Sequence, residues 1–231
     1  MKILSTLATF TLCNGVLLFS VNFVAYNKNF YDAQFTLNDT AEILGITQAE
    51  LGQARDKMID YISGKTNTLD IDFFTPLEKS HMKDARSVFI AVKTLSYILL
   101  IVGIATLIAL FIYLYIKKSP YKKQKIKLLL KGITFGSGTF LVVLAIIGVV
   151  GLIDFNLPFI IFHKIFFPQG NWQFDSSSAM ITMLPESFFT NAVWIIAGTG
   201  IGFATLLTLT SAIINARIKP LQKNLGNGEG S

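Results

Sequence analysis

Long apolar runs alternate with polar stretches along this chain. The runs cover residues 3–26, about 88–116, about 133–153 and about 190–214. Each reaches the roughly 20 residues that carry a helix across the hydrocarbon core of a bilayer. The first exceeds the ~7–15 residues of a signal-peptide core and lacks a small-x-small cleavage site, so it reads as a retained span. The pattern predicts an all-α integral membrane protein, with four transmembrane helices and a helical extracytoplasmic cap. Its expected divisions are a span at 1–26, an outer helical segment at 27–87 and a span at 88–116. A basic loop at 117–132, a span at 133–153 and an outer or interfacial segment at 154–189 follow. The last are a span at 190–215 and a tail at 216–231, polar, Gly-rich and expected to be disordered.

Orientation follows from the short loop after the second run. It holds Lys117, Lys118, Lys122, Lys123, Lys125, Lys127 and Lys131 and no acid. Basic loops stay in the cytoplasm. Both termini are then expected inside, where Lys2, Arg217, Lys219 and Lys223 lie. Segments 27–87 and 154–189 are expected outside. Glycines at 136, 138, 198, 200 and 202 read as points of close helix approach.

The first outer segment carries helix signals. Thr47 and Glu50 form a capping box, with Ile46 and Leu51 as its staple. That helix is expected to run to about Ser63 and stop at Gly64, with Leu51, Ala54, Met58 and Ile62 as its apolar stripe. A second box, Thr75 to Glu78 with Pro76 at the first position, opens a helix that no proline interrupts before Pro120. One long helix is therefore expected to rise from the outer surface and continue as the second span.

Composition narrows the class. Hydrophobic residues make up 52% of the chain and charged ones 15%, against about a quarter charged in soluble domains. The net charge of +6 gathers beside the apolar runs, which marks topology and no nucleic-acid partner. Cys13 is the only cysteine, excludes an intrachain disulfide and reads as a small packing residue.

Candidate chemistry rests on two histidines. His81 lies seven residues before the apolar run that starts at Val88, roughly 10 Å outside the hydrocarbon on a helix. Asp84, at i+3, is placed to hold one ring nitrogen of His81, or else both are solvated. His163 sits in LPFIIFHKIFFP, too short to cross and expected as an interfacial or re-entrant helix. Trp172 suits the membrane interface, and Asp175 is expected to cap a short helix through Met183. The chain holds no phosphate loop, nucleophile elbow, His-Glu-x-x-His pair or cysteine cluster. Two histidines on one side suit general acid–base work at headgroup depth. They could instead hold a metal with an acid, as in a membrane metallohydrolase, or serve as interfacial anchors of a lipid-binding or assembly protein.

Several short motifs, in this order, resemble the lipoprotein intramolecular transacylase family. They are His81-Met82-x-Asp84, Phe162-His163-x-x-Phe166-Phe167, Gly170-Asn171-Trp172-x-Phe174-Asp175 and Met183-Leu184-Pro185-Glu186-x-Phe188-Phe189. The resemblance covers nearly the whole chain. It departs at Ala85, where the family usually has a small β-branched residue, and at Ser176–Ala179, where another acid is expected. The resemblance implies an extracytoplasmic enzyme of the plasma membrane of Gram-positive bacteria. Its substrate would be a diacylglyceryl-modified lipoprotein, whose sn-2 acyl chain moves to the N-terminal cysteine amine. The product is a lyso-form lipoprotein, and neither metal nor cofactor is expected. His81 and His163 are the candidate catalytic residues. Asp84, Asn171, Trp172 and Asp175 are accessory candidates. Desolvation should keep His163 neutral as the base, and Asp84 should favour a protonated His81 as the acid.

Overall fold

The computed structural model describes residues 1–218. Of the tail expected at 216–231, residues 219–231, with Lys219 and Lys223, lie outside the described residues, whereas 216 and 217 still belong to the last helix. Among the described residues the chain is helical with no strand. Its elements are α1 (Lys2–Ala25), α2 (Lys28–Leu37), α3 (Thr40–Leu44), α4 (Gln48–Ile62) and α5 (Pro76–Ile116). Then come α6 (Lys122–Ile153), α7 (Asn156–Phe166), α8 (Ala179–Met183) and α9 (Glu186–Arg217). Helices α1, α5, α6 and α9 are long and apolar enough to span a membrane.

α1 is the central staff of the bundle, packed against α5, α6 and α9, while α6 also packs on α9. Lipid is as apolar as leucine, so close backbone approach and interhelical hydrogen bonds must hold such helices together. Gly136 shows the first: a Cβ there would lie 2.4 Å from the Thr6 carbonyl oxygen on α1. The bonds join Asn22 to Ser96 at 3.3 Å, Thr134 to Ser211 at 2.7 Å and Ser137 to Thr208 at 2.7 Å. Ile101, Phe111, Ile146 and Leu206 remain exposed on the outer faces, as lipid contact requires. Cys13 is fully buried against Phe140 and Ala204. Gly136 and Gly200 sit at close contacts, but a Cβ added at Gly138, Gly198 or Gly202 would meet nothing within 4 Å among the described residues. Their expected packing role is therefore corrected, since a glycine matters to packing only where its face meets a neighbour.

A helical cap closes one end of the bundle. Both halves of the capping boxes at Thr47 and Thr75 are formed. Gly64 has φ +84°, and Lys65 N–H returns to the Asp60 carbonyl, which stops α4. Leu51, Ala54, Met58 and Ile62 are all buried in a core with Phe74, Met82, Met183 and Phe188. Phe188 ties α9 to α2 through Phe30 and Tyr31, both with ring centroids at 5.0 Å. Residues 76–116 form one unbroken helix, which carries His81 rigidly with the second span. The basic loop differs from expectation: α6 begins at Lys122, so only residues 117–121 lie outside helix there. Lysine is a good helix former and offers no stop signal.

Candidate active site

His81 stands on α5 three residues after Glu78, whose carboxylate fixes the start of that helix. Glu78 is 1% exposed. It accepts from Thr75 N at 2.6 Å and Thr75 Oγ1 at 2.9 Å. Its other oxygen accepts from Met180 N at 2.8 Å and from the Ser178 hydroxyl. Burial opposes its charge, yet the donors from Ser178, Met180 and Thr75 hold its carboxyl below the ordinary range. One carboxylate thus caps α5 and fastens the start of α8 to it. The side chain that caps α8 is Ser178, bonded to Met180 N. This corrects the expected cap at Asp175, whose backbone carbonyl accepts from Ser178 N instead.

His163 comes from α7, the short helix that carries Pro158 in its first turn and ends two residues before Pro168. Its Nδ1 lies 2.8 Å from the Phe159 carbonyl oxygen. A carbonyl only accepts, so the proton sits on Nδ1 and the Nε2 lone pair is left free. The ring is walled by Phe159, Phe167 and Trp172, with centroids at 4.1, 5.4 and 4.8 Å. Burial lowers its pKa, opposed by the bond to Phe159.

α5 and α7 bring the two imidazoles together. Their centroids are 6.0 Å apart and their planes differ by 22°. Phe167 and Phe174 complete the wall at 4.6 and 5.5 Å from His81. His81 is 9% exposed and His163 8%. Burial and the neighbouring His163 push His81 down to about 4, against opposing influences of Asn171 and Asp84. The expectation of a protonated His81 is therefore corrected: desolvation in an aromatic box outweighs one carboxylate on its rim.

Asp84 does not hold the ring of His81, a second correction. It accepts from Asn171 Nδ2 at 2.7 Å and from the Gln169 amide. Those two residues belong to the turn that follows α7, so Asp84 clamps that turn onto α5. Asn171 Nδ2 also reaches Ser80 Oγ at 3.3 Å. The structure thus gathers His81, His163, Asp84, Asn171 and Trp172 in one place. Asp175 is exposed, with no hydrogen bond from its side chain among the described residues. Gln169, Ser80 and the tethering role of Glu78 escaped the sequence reading. Glu78 was legible as half of a capping box, whereas its second oxygen serves a loop a hundred residues away.

Among the described residues no three His, Cys, Asp or Glu side chains converge as metal ligands. Two adjacent imidazoles, one with a defined free lone pair, can move a proton between groups placed beside them.

Comparison with known proteins follows the same direction. No curated protein matches the chain. An in meso structure of the membrane integral lipoprotein intramolecular transacylase Lit from Bacillus cereus superposes with a TM-score of 0.68 at 21% identity. That match covers 94% of this chain and 97% of the other. A Bacillus cereus variant with one histidine replaced by arginine gives 0.70 at 22% identity, over 93% of this chain and 92% of that one. These likenesses establish the fold. The family model described as lipoprotein intramolecular transacylase Lit matches residues 6–189, and the chain belongs to that family of membrane acyltransferases.

Proposed function

We propose that His81 and His163 are the catalytic pair with which this transacylase moves the sn-2 acyl chain of a diacylglyceryl lipoprotein to its N-terminal cysteine amine. The observation that carries the reading is the meeting of two buried imidazoles 6.0 Å apart, the chain's only histidines.

Both rings enter the reaction neutral. His163 is the better base, because the Phe159 carbonyl that holds its Nδ1–H also supports the imidazolium. Its Nε2 takes one proton from the α-amine as nitrogen attacks the ester carbonyl carbon. A new C–N bond forms, the bond to the glycerol oxygen breaks, and that oxygen receives the proton by way of His81. Amide and free hydroxyl result, with no net proton change. Both reacting groups belong to one molecule, so much of the protein's contribution is to fold them together. Ester to amide is downhill, and no acyl-enzyme is required.

The basic residues around 117–131 support a cytoplasmic position for that end of the bundle. The cap and the histidines then face outward, with both termini inside a bacterial plasma membrane. Exposed Ile161, Phe162, Ile165 and Phe166 on α7 suit contact with acyl chains beside the site. The test is mass spectrometry of lipoprotein N-termini in cells whose only transacylase is this chain. His81→Ala and His163→Ala should each lower N-acylation ~10²–10⁴-fold at unchanged protein level. Full activity in either variant would remove that histidine from the mechanism.

A further inference from the structure

Two polar atoms at the histidine pair are buried and have no hydrogen-bond partner among the described residues: Nδ1 of His81 and Oδ1 of Asn171. Their residues are 9% and 8% exposed. Leaving either atom unpaired costs free energy, and such orphans usually mark a function or a nearby partner. Asn171 spans Ser80 and Asp84, which flank His81 along α5.

The amide of Asn171 can point only one way. The Asp84 carboxylate offers acceptors alone, so the group 2.7 Å from it must be the NH₂. Nδ2 is committed to Asp84 and Ser80 on the same stretch of α5 as His81, which leaves Oδ1 as the free acceptor. We propose that Asn171 is a positioning residue that sets the tautomer of His81: its clamped Oδ1 holds the ring proton on Nδ1 and leaves the Nε2 lone pair for chemistry. The influence of Asn171 on His81, which favours its charged form, agrees with an oxygen facing a ring N–H. The two atoms are not bonded to each other in this structure, and pairing them would satisfy both. His163 already has this tautomer through Phe159, so each ring would present Nε2. This assignment rests on the catalytic reading above and gives Asp84 a task one step removed from the ring.

The chain has two histidines, so ¹⁵N-imidazole spectra of the full-length protein in bicelles can be assigned with His81→Gln. At pH 8 wild-type His81 should carry its proton on Nδ1. Asn171→Leu should let the ring exchange between tautomers. Asp84→Ala should do so by freeing the amide to rotate, which tests the idea even if Asn171→Leu fails to fold. Both should lower kcat about 10- to 100-fold with KM for the lipoprotein unchanged, less than the ~10²–10⁴-fold of losing an acid or base. Asp84→Asn, which keeps an acceptor oxygen, should retain most of the Nδ1–H form. A wild-type His81 protonated on Nε2, or a tautomer unmoved in both Asn171→Leu and Asp84→Ala, would overturn the assignment. The tautomer is read without turnover, so that failure is distinct from activity surviving in His81→Ala, which would overturn the catalytic reading.

Discussion

Asp84 lies three positions after His81 on α5, a spacing that makes two side chains neighbours on an isolated helix. In the folded chain Asp84 turns instead to the amides of Gln169 and Asn171. A carboxylate at the rim takes the donors that the incoming turn brings. His81 is left in an aromatic box, pushed down to about 4 by burial and by His163. The sign matters for pH dependence. A histidine with a lowered pKa is neutral at and above its ordinary value of ~6.5 and charges only below it. The rate should therefore rise with pH as the substrate's α-amine loses its proton near ~7.7–8.0 and should then stay level. A mechanism started by charged His81 would decline above about pH 7. A pH–rate profile distinguishes the two, and Asp84→Asn should leave its shape unmoved.

At the scale of elements, the site depends on how the ends of α5, α7 and α8 are fixed. Glu78 does this with two oxygens, one serving Thr75 on its own helix and the other Ser178 and Met180. Glutamine at 78 keeps one acceptor oxygen but turns an NH₂ toward groups that themselves donate. Glu78→Gln should destabilise the protein by about 1–3 kcal/mol, read as a lower unfolding midpoint in detergent. Because the folded carboxyl is held below its ordinary range, its contribution is present above that range and fades as pH falls through the folded value. The Gln variant should lose this part of the acid sensitivity. The capping boxes, the Gly64 stop and the α4 stripe were readable because each depends on residues close in sequence. Helices α2 and α3 were not, since they are short and held by elements distant in sequence, α2 by α4 and α9 and α3 by α8.

Across the whole molecule, the reading implies one orientation in the membrane. Cysteines introduced at Lys65 and Ser177, both exposed, should react with an impermeant thiol reagent in intact cells in a Cys13→Ser background. Labelling only after lysis would reverse the orientation. Metal dependence is a second global test. The chain has two histidines and no cysteine cluster, so N-acylation should survive thorough chelation. Recovery only on adding a transition metal would favour a metallohydrolase.

Sequence by itself determined the four spans, the long helix through residues 76–116 and the two histidines. Apolar length, capping signals and the scarcity of ionisable residues are local properties, and the bilayer enforces them. The approach of α7 to α5 and the partners of Asp84 were decided only by tertiary structure. The same holds for which glycines meet a neighbour: Gly136 touches α1, and Gly138, two residues on, faces open space among the described residues. The physical reason is shared. A residue's type and spacing state what it can offer, whereas burial and the donors around it set its charge and partners. Those arrive from distant segments, such as Asn171 on Asp84, 87 residues away, and Met180 on Glu78, 102 residues away.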